Sequence, residues 1–524
     1  MLCTGMSQTY YVTTPIYYVN DVPHIGHSYT TIAADVLARF FRAAGRDVHF
    51  LTGTDEHGIK IVKAAAARGV SPRQLADEVV VHFQDLWREL NISNDDFIRT
   101  SEVRHEKRVQ EIIRRLVAAD QIYLGSYEGW YDEGQEEFVT ESTARDNDYK
   151  SPINGQPLAR YSEPSYFFRL GAWVPKLIEH IEANPGFILP EARRNEVLSK
   201  LRQGVDDLSI SRPLAKLNNW GVPMPNDPAH SVYVWIDALS NYLTALGWPA
   251  IDDEHDGKGE RYWPADVHLI GKDILWFHTV YWPCLLMALE APLPKCVFAH
   301  GWWTSEGKKM SKSLGNFVSR ERIAEICREY SVDVFRYFLL RAVAFGQDGD
   351  FSAAVLRTRY NTDLANGVGN LLSRTVNMIG RYCDGAVPAC QPAGEAEREV
   401  LDTAEKLSRS APGAMESCQF HALLDGIQHL TQATNRYIDV TQPFKLAKDA
   451  AQAERLGTIL YTCAEAVRMI LVYLGSVMPQ ASANGLAQLG WDAGGTPLDK
   501  IGAWGALRPG GQVRKGEALF PRKP

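Results

Sequence analysis

Paired cysteines are what this chain most plainly lacks. Its eight cysteines (Cys3, Cys284, Cys296, Cys327, Cys383, Cys390, Cys418 and Cys463) form no CxxC pair. Neither a zinc ribbon nor a disulfide framework is therefore indicated, and reduced, buried thiols are expected. No apolar run reaches the roughly 18 residues needed to cross a bilayer. The opening "MLCTGMSQ" has no basic region followed by an apolar stretch, and no Arg/Ser-rich transit segment precedes the first strand. A cytoplasmic protein beginning at Met1 or Met6 is the expectation, without signal peptide or membrane. There is no HExxH and no internal repeat. Positive charge is not in excess either: 55 Lys and Arg stand against 63 Asp and Glu, a net charge of −8. That excludes a surface basic all over but leaves nucleic acid open, because binding needs only a local positive face.

What is present is a long chain of ordinary globular composition. With 524 residues, 45% hydrophobic and 23% charged, it exceeds one core and predicts roughly two to four domains. "TYYVTTPIYYV" (Thr9–Val19) is dense in β-branched and aromatic residues and reads as a buried strand. The turn "NDVPHIG" and the helical pattern "HSYTTIAADVLARFFRAAG" follow, and "DVHFLTGTDEHG" starts the same scheme again. Such alternation predicts an α/β fold with a doubly wound parallel sheet and ligands at the carboxyl ends of its strands. From Tyr123 to about Asn226 the pattern turns aromatic and β-like, which reads as an insertion. Strand-then-helix units resume at "SVYVWIDALSNYL", "DVHLIGKDILWFHTVYWPCLLMAL" and "CVFAHGWWTSEGKKMSKSLGNFV". Beyond Ser352 the periodicity is helical, interrupted by "DGAVPACQPAGE" and closing on a basic, Pro/Gly-rich tail.

Two short stretches carry chemistry. In "PHIGHSYTT" the histidines His24 and His27 flank Gly26. Metal binding lacks a third ligand nearby, and a polar turn is the plain reading of HxxH alone. Its place at a strand-to-helix corner adds another: helix N-termini offer N–H groups and a positive dipole end to an anion. Imidazoles there can donate to phosphate, and Gly26 leaves room for a flat ring such as adenine. The second stretch, "GKKMSKSLGN" (Gly307–Asn316), clusters lysines with two serines. A solvated basic loop is the plain reading, yet mobile ammonium groups after a sheet strand can clamp a triphosphate.

Together, "HIGH" and "KMSKS" resemble the two signatures of the class I aminoacyl-tRNA synthetases. The resemblance implies a class I Rossmann-like sheet with an inserted connective domain, then an all-α anticodon-binding bundle. It implies amino-acid activation with ATP, then transfer to tRNA, without a covalent enzyme intermediate. The expected segments are 6–122 and 227–325 for the halves of the catalytic domain and 123–226 for the insertion. The KMSKS loop and stem-contact region takes 300–352, and the helical domain with its basic tail 353–524. The aromatic set Trp235, Tyr18, Trp282, Tyr242 and His278 would each read singly as core, but sulfur–ring contacts of about 0.3–1.5 kcal/mol favour such walls for a thioether. Asp55, in "GTDEHG", stands where it can hold an ammonium.

These segments resemble the methionyl-tRNA synthetases over nearly the whole chain. Matched motif by motif, Ile16, Tyr18, Trp235, Ala238, Leu239, Tyr242, Ile274, His278 and Trp282 are implied as the methionine pocket, with Asp55 on the α-amino group. Gly271 and Asp273 of "GKDI" are implied for adenosine. His24, Gly26, His27, Lys309, Met310, Ser311 and Lys312 are implied for ATP, with His24, His27, Lys309 and Lys312 catalytic. "NGVGNLLSR" looks like the family's anticodon helix, with Asn370 and Arg374 on one face toward the first anticodon base. Arg357, Arg359, Arg374 and Arg381 against Asp363 give that region a local positive face. Phe444 stands where relatives commonly have tryptophan, and can still stack a base.

The implied cofactor is ATP with Mg²⁺, and the partners are methionine and initiator and elongator tRNA(Met), with no obligate protein partner. No cysteine lies in Tyr123–Asn226, so no cysteine-ligated zinc knuckle is expected there; the aromatic segments are expected to organise it. Without the appended C-terminal domain of longer relatives, a monomer is expected. Homocysteine lacks one methyl, worth only about 1–3 kcal/mol in an apolar pocket, and the resemblance implies editing by cyclisation to a thiolactone. Two rival readings are a small-molecule nucleotidyltransferase, which needs no anticodon-type helices, and a non-catalytic tRNA-binding relative, which has little use for an intact HIGH and KMSKS.

Overall fold

The computed structural model describes residues 9–134, 137–139, 141–251, 257–305, 308–309 and 318–523. By internal contacts the chain divides into two units, Thr9–Pro23 with His49–His300, and His24–Val48 with Gly301–Pro524.

The first unit is built on a six-stranded sheet. Its strands are β1 (Thr9–Tyr18), β2 (Asp47–Asp55), β3 (Asp96–Arg99), β4 (Ile188–Leu189), β5 (Val267–Gly271) and β6 (Val297–His300), in the order β3-β2-β1-β5-β6-β4. The pairings β2–β3, β1–β5, β5–β6 and β6–β4 are parallel. β1 is buried over almost its whole length with no alternation, as expected of a central strand covered on both faces. From β1 the chain steps outward through β2 and β3, and later steps the other way through β5 and β6. The β1–β5 boundary is thus the topological switch point, beside which ligands of open α/β sheets bind.

The inserted segment departs in part from its reading as β-like. Ile122–Asp132 and Ala159–Phe168 do pair antiparallel along their length, from Ile122 opposite Phe168 to Tyr131 opposite Ala159. Aromatic contacts run across this sheet and beside it: Tyr123 stacks on Phe167 at 5.6 Å, and Trp130 meets Tyr149 at 4.6 Å. Leu170–Ala183 and Glu191–Leu201, however, are helices, and β4 between them pairs with β6 at the edge of the main sheet. Leu170, Val174, Leu177 and Ile181 are the buried positions of the first of these helices, an apolar stripe at helical spacing. Part of the segment read as an insertion is therefore built into the sheet.

The second unit holds α1 (Ile25–Ala43) and a mainly helical remainder. Within it, the Asp35 carboxylate of α1 accepts from Arg336 Nη2 at 2.6 Å, and both side chains are fully buried. Arg336 lies on the helix Val332–Arg341, and its other donors reach the Val477 and Ser476 carbonyls at 2.8 and 3.1 Å. One guanidinium thus fastens α1 to the turn after the long helix Ala453–Leu474. That helix has the length and apolarity to cross a membrane, but its most apolar window is 94% buried inside the protein, the mark of a core helix.

Removing one member of a fully buried pair strands the other charge. Arg336→Met should lower stability by about 3 kcal/mol, near the low end for such pairs because Arg39 also donates to Asp35, at 2.7 Å. Denaturant unfolding of Arg336→Met beside Asp35→Asn/Arg336→Met checks this. The double variant should recover most of the loss, and equal losses would rule out the stranded charge as the cause.

Candidate active site

In the first unit the implied amino-acid residues gather beside the switch point. Trp235, Ala238, Leu239 and Tyr242 lie on the helix Val234–Thr244, where all but Trp235 are buried. His278 sits in a π-helical turn, Phe277–Tyr281, which leads into the helix Trp282–Ala288. Pro283 has no N–H with which to close an α-helical bond there, and such π-turns are frequent at functional sites. The rings form one group: Tyr242 lies 5.8 Å from His278 and 5.9 Å from Trp282, and Trp235 lies 6.5 Å from His278. Ile16, Tyr18, Trp235 and Ile274 pack on this core while remaining partly exposed, so they form its accessible face. Phe277, missing from the sequence-based set, stacks flat on Trp235 at 3.7 Å.

Hydrogen bonds fix the protonation of the buried rings. His278 Nδ1 stands 3.0 Å from the Ile274 carbonyl, which can only accept, so Nδ1 carries the proton and Nε2 accepts from the Tyr242 hydroxyl at 2.8 Å. Behind them the Trp282 indole donates to His268 Nε2 at 3.3 Å, so His268 Nδ1 donates to Thr13 Oγ1 at 2.7 Å. Burial pushes His278 down to about 4 and His268 well below the ordinary histidine value. These buried rings are neutral, and their hydrogen bonds are fixed in direction.

The carboxyl end of β2 supplies the charges. Asp55 is buried; its carbonyl accepts from Val19 N and its Oδ1 from His57 N at 3.4 Å. Glu56 receives Arg99 through both oxygens at 2.7 and 3.1 Å, Thr54 Oγ1 at 2.9 Å, and the Ser101 hydroxyl. His57 Nδ1 lies 2.7 Å from Asp237 Oδ2, and His105 Nε2 lies 2.8 Å from Asp237 Oδ1. Burial alone would raise Asp237, but the two imidazoles hold it down to about 2. Burial alone would lower His57, but Asp237 outweighs it and holds the imidazole above its ordinary value. None of His57, His105 and Asp237 was singled out in the sequence. The available signal was an acid inside the otherwise apolar "VWIDAL". Gly271 and Asp273 lie together, and a Cβ on Gly271 would come within 2.5 Å of the Asp273 carboxylate. The missing side chain makes room for that acid.

The second unit carries the histidine turn. His24 is the N-cap of α1, its Nδ1 accepting from Gly26 N at 3.1 Å, while His27 Nδ1 accepts from His24 N at 3.1 Å. The expected anion site of open backbone N–H groups is therefore modified, because the imidazoles themselves cap the helix. With both Nδ1 atoms accepting, the ring protons lie on Nε2, and it is these donors that the turn presents. The rings lie 3.9 Å apart, and burial followed by the charge of His24 pushes His27 well down. A Cβ on Gly26 would meet His24 Cε1 at 2.9 Å, so its missing side chain accommodates the His24 ring. Ile25 N donates to the Val318 carbonyl at 3.2 Å, and His24 bridges to Ser319, tying the turn to the residues that follow KMSKS. Lys309 is placed as backbone, pairing with Thr304; Met310, Ser311 and Lys312 lie outside the described residues.

The same unit places Asn370 and Arg374 on the helix Asn370–Tyr382. Asn370 is exposed, and Arg374 Nη2 donates to Asp439 Oδ1 at 2.9 Å. Phe444 follows that helix's neighbour, Phe420–Thr441, and is 45% exposed.

The neutral buried histidines give the fold an acid sensitivity of defined sign. Above the ordinary histidine value neither state binds the proton. As pH falls below about 6.5 the unfolded chain binds it first, so stability falls, and for His278 it goes on falling to about 4. His57 acts oppositely, its contribution being lost as pH rises through its raised value. Between pH 7 and pH 5, His278→Gln should lose about 2 kcal/mol less stability than the unaltered chain. Denaturant midpoints across that range measure this, and parallel curves would contradict it.

Comparison with known proteins agrees with this geometry. The family described as tRNA synthetases class I (M) matches residues 10–156 and 142–376. The methionine–tRNA ligase of Caldanaerobacter subterraneus subsp. tengcongensis is 48% identical over 517 residues, 99% of this chain and 79% of the relative. That of Rickettsia felis is 45% identical over 520 residues, 99% of each chain. The Mycobacterium tuberculosis methionyl-tRNA synthetase in complex with methionyl-adenylate superposes with a TM-score of 0.92 at 43% identity, covering 98% of this chain and all of that one. A cluster of aromatic rings around neutral histidines beside the switch point, a HIGH turn bound to Val318 and Ser319 after the KMSKS segment, and these likenesses over nearly the whole chain lead to one conclusion: the chain belongs to the methionyl-tRNA synthetase family of class I.

Proposed function

We propose that the chain activates L-methionine with ATP, giving methionyl-adenylate and pyrophosphate, and transfers the methionyl group to the 3′ end of initiator and elongator tRNA(Met). The observation that carries this reading is the cluster of aromatic rings around neutral His278 and its Tyr242 hydroxyl donor. A thioether gains from ring contacts, while a charged or strongly polar side chain would be desolvated there without a partner.

In this reading Asp55 takes the α-ammonium, and Ile16, Tyr18, Trp235, Ala238, Leu239, Tyr242, Ile274, His278 and Trp282 surround the side chain. Gly271 and Asp273 meet the adenosine. A methionine carboxylate oxygen attacks the α-phosphorus and pyrophosphate departs. The Nε2–H donors of His24 and His27, with Lys309 and Lys312, oppose the charge growing on the phosphates. Attack by a terminal ribose hydroxyl of tRNA on the adenylate carbonyl then releases AMP. Among the described residues no group of His, Cys, Asp and Glu is placed to hold a metal. Mg²⁺ fits as a companion of the nucleotide, whose phosphate charge it neutralises. Methionine, ATP and tRNA are solutes of the cytoplasm, which supports that location.

Methionine-dependent exchange of pyrophosphate into ATP tests the activation step. Methionine should support exchange. Exchange with another amino acid alone would sink the pocket assignment, and none at all would sink the catalytic one. Arg374→Ala separates the second step. Charging of tRNA(Met) should fall about ten- to a hundredfold, the worth of one base contact, with exchange nearly unchanged. An equal fall in both would remove Arg374 from tRNA recognition.

A further inference from the structure

We infer that the Asp237 carboxylate, clamped between His57 and His105, is a positioning group that sets the spacing between the amino-group end and the side-chain wall of the amino-acid subsite. This inference rests on the methionine reading above. The clamp joins the turn after β2 to two helices. His57 follows Asp55 on that turn, His105 comes from Val103–Ala118, and Asp237 lies between Trp235 and Ala238 on Val234–Thr244. One carboxylate therefore ties the backbone that carries Asp55 to the helix that carries Trp235, Ala238, Leu239 and Tyr242. His105 Nδ1 also reaches Thr244 Oγ1 at 2.7 Å, so the clamp grips Val234–Thr244 at two points along its length.

Stability alone does not call for this arrangement. Asp237, His57 and His105 are 1%, 2% and 0% exposed. Well-packed apolar residues in place of such a buried cluster are often neutral or stabilising, whereas the charged form specifies one geometry. A small cleft, partly open to solvent, lies against the turn, lined by His57, Gly58, Tyr131, Arg212, Tyr233 and Val234. The neighbouring Glu56 is tied elsewhere, its N donating to Thr100 Oγ1 at 2.9 Å and its carbonyl accepting from Trp220 Nε1 at 2.5 Å, so the His57–Asp237 bond is a tie that carries the turn's position across to Val234–Thr244. The His57 imidazole also meets Trp220 edgewise at 5.2 Å, and its Nε2 approaches Glu106 at 3.7 Å.

The test measures KM for methionine and for ATP separately, by pyrophosphate exchange, in His57→Gln, Asp237→Asn and the double variant. Each single variant should raise KM for methionine about tenfold, the worth of one charge-assisted hydrogen bond, with KM for ATP nearly unchanged. The double variant should be no worse than the poorer single one, because either change opens the same clamp. His105→Gln should shift the same ratio less. Unchanged methionine KM alongside a lowered unfolding midpoint would make the cluster merely structural and overturn the inference, as would an equal rise in both KM values. Should Asp237→Asn fail to fold, His57→Gln decides by the same ratio. If the unaltered chain activates another amino acid, the methionine reading fails, and the ratio measured with that amino acid still decides the clamp.

Discussion

The pairing of β1 with β5 is the contact on which the first unit depends. It joins Val12 to Val267 and Thr13 to His268 across most of the unit's length. Side chains reinforce the join: Tyr11 N donates to Asp266 Oδ2 at 2.7 Å, and the Tyr11 hydroxyl donates to the Tyr242 carbonyl at 2.8 Å. Because the strand order reverses here, the neighbouring connections diverge and leave a crevice at the carboxyl ends. Several of the implied residues stand at strand ends beside it. Asp55 ends β2, Gly271 ends β5, and the ring-bearing turn around His278 follows β5.

Within each unit, several charges are buried together with fixed partners. Glu56 is met by Arg99 and two hydroxyls, and Asp237 by two imidazoles; in the second unit Asp35 is met by Arg336. His278 and His268, buried among rings, are instead neutral, with each proton assigned by a carbonyl or an indole. Under the proposed assignment a thioether would enter such a site without displacing a charge or stranding a donor.

The sequence revealed the chemistry more readily than the scaffold. HIGH and KMSKS were legible because chain neighbours act together there, and the α/β alternation was legible from its periodicity. β4 was not, since a two-residue strand inside a helical stretch has no pattern of its own. The His57–Asp237–His105 clamp was also invisible, because its bonds span separations of 180 and 132 residues. Only the burial of an acid within "VWIDAL" hinted at it. Gly26 was read as space for a nucleotide ring, and the geometry adds a second need for it, since a Cβ there would meet His24 Cε1 at 2.9 Å. A short-range motif can show that a small residue is needed without showing which neighbour needs it.

The central claim is that the carboxyl end of β2, beside the switch point, holds the substrate's ammonium while the rings hold its side chain. Calorimetric titration of L-methionine and its des-amino analogue against the unaltered chain and Asp55→Asn tests this directly. The unaltered chain should strongly prefer methionine, and Asp55→Asn should bind both ligands with similar, weaker affinity. A variant that kept the full preference for the amino compound would contradict that claim.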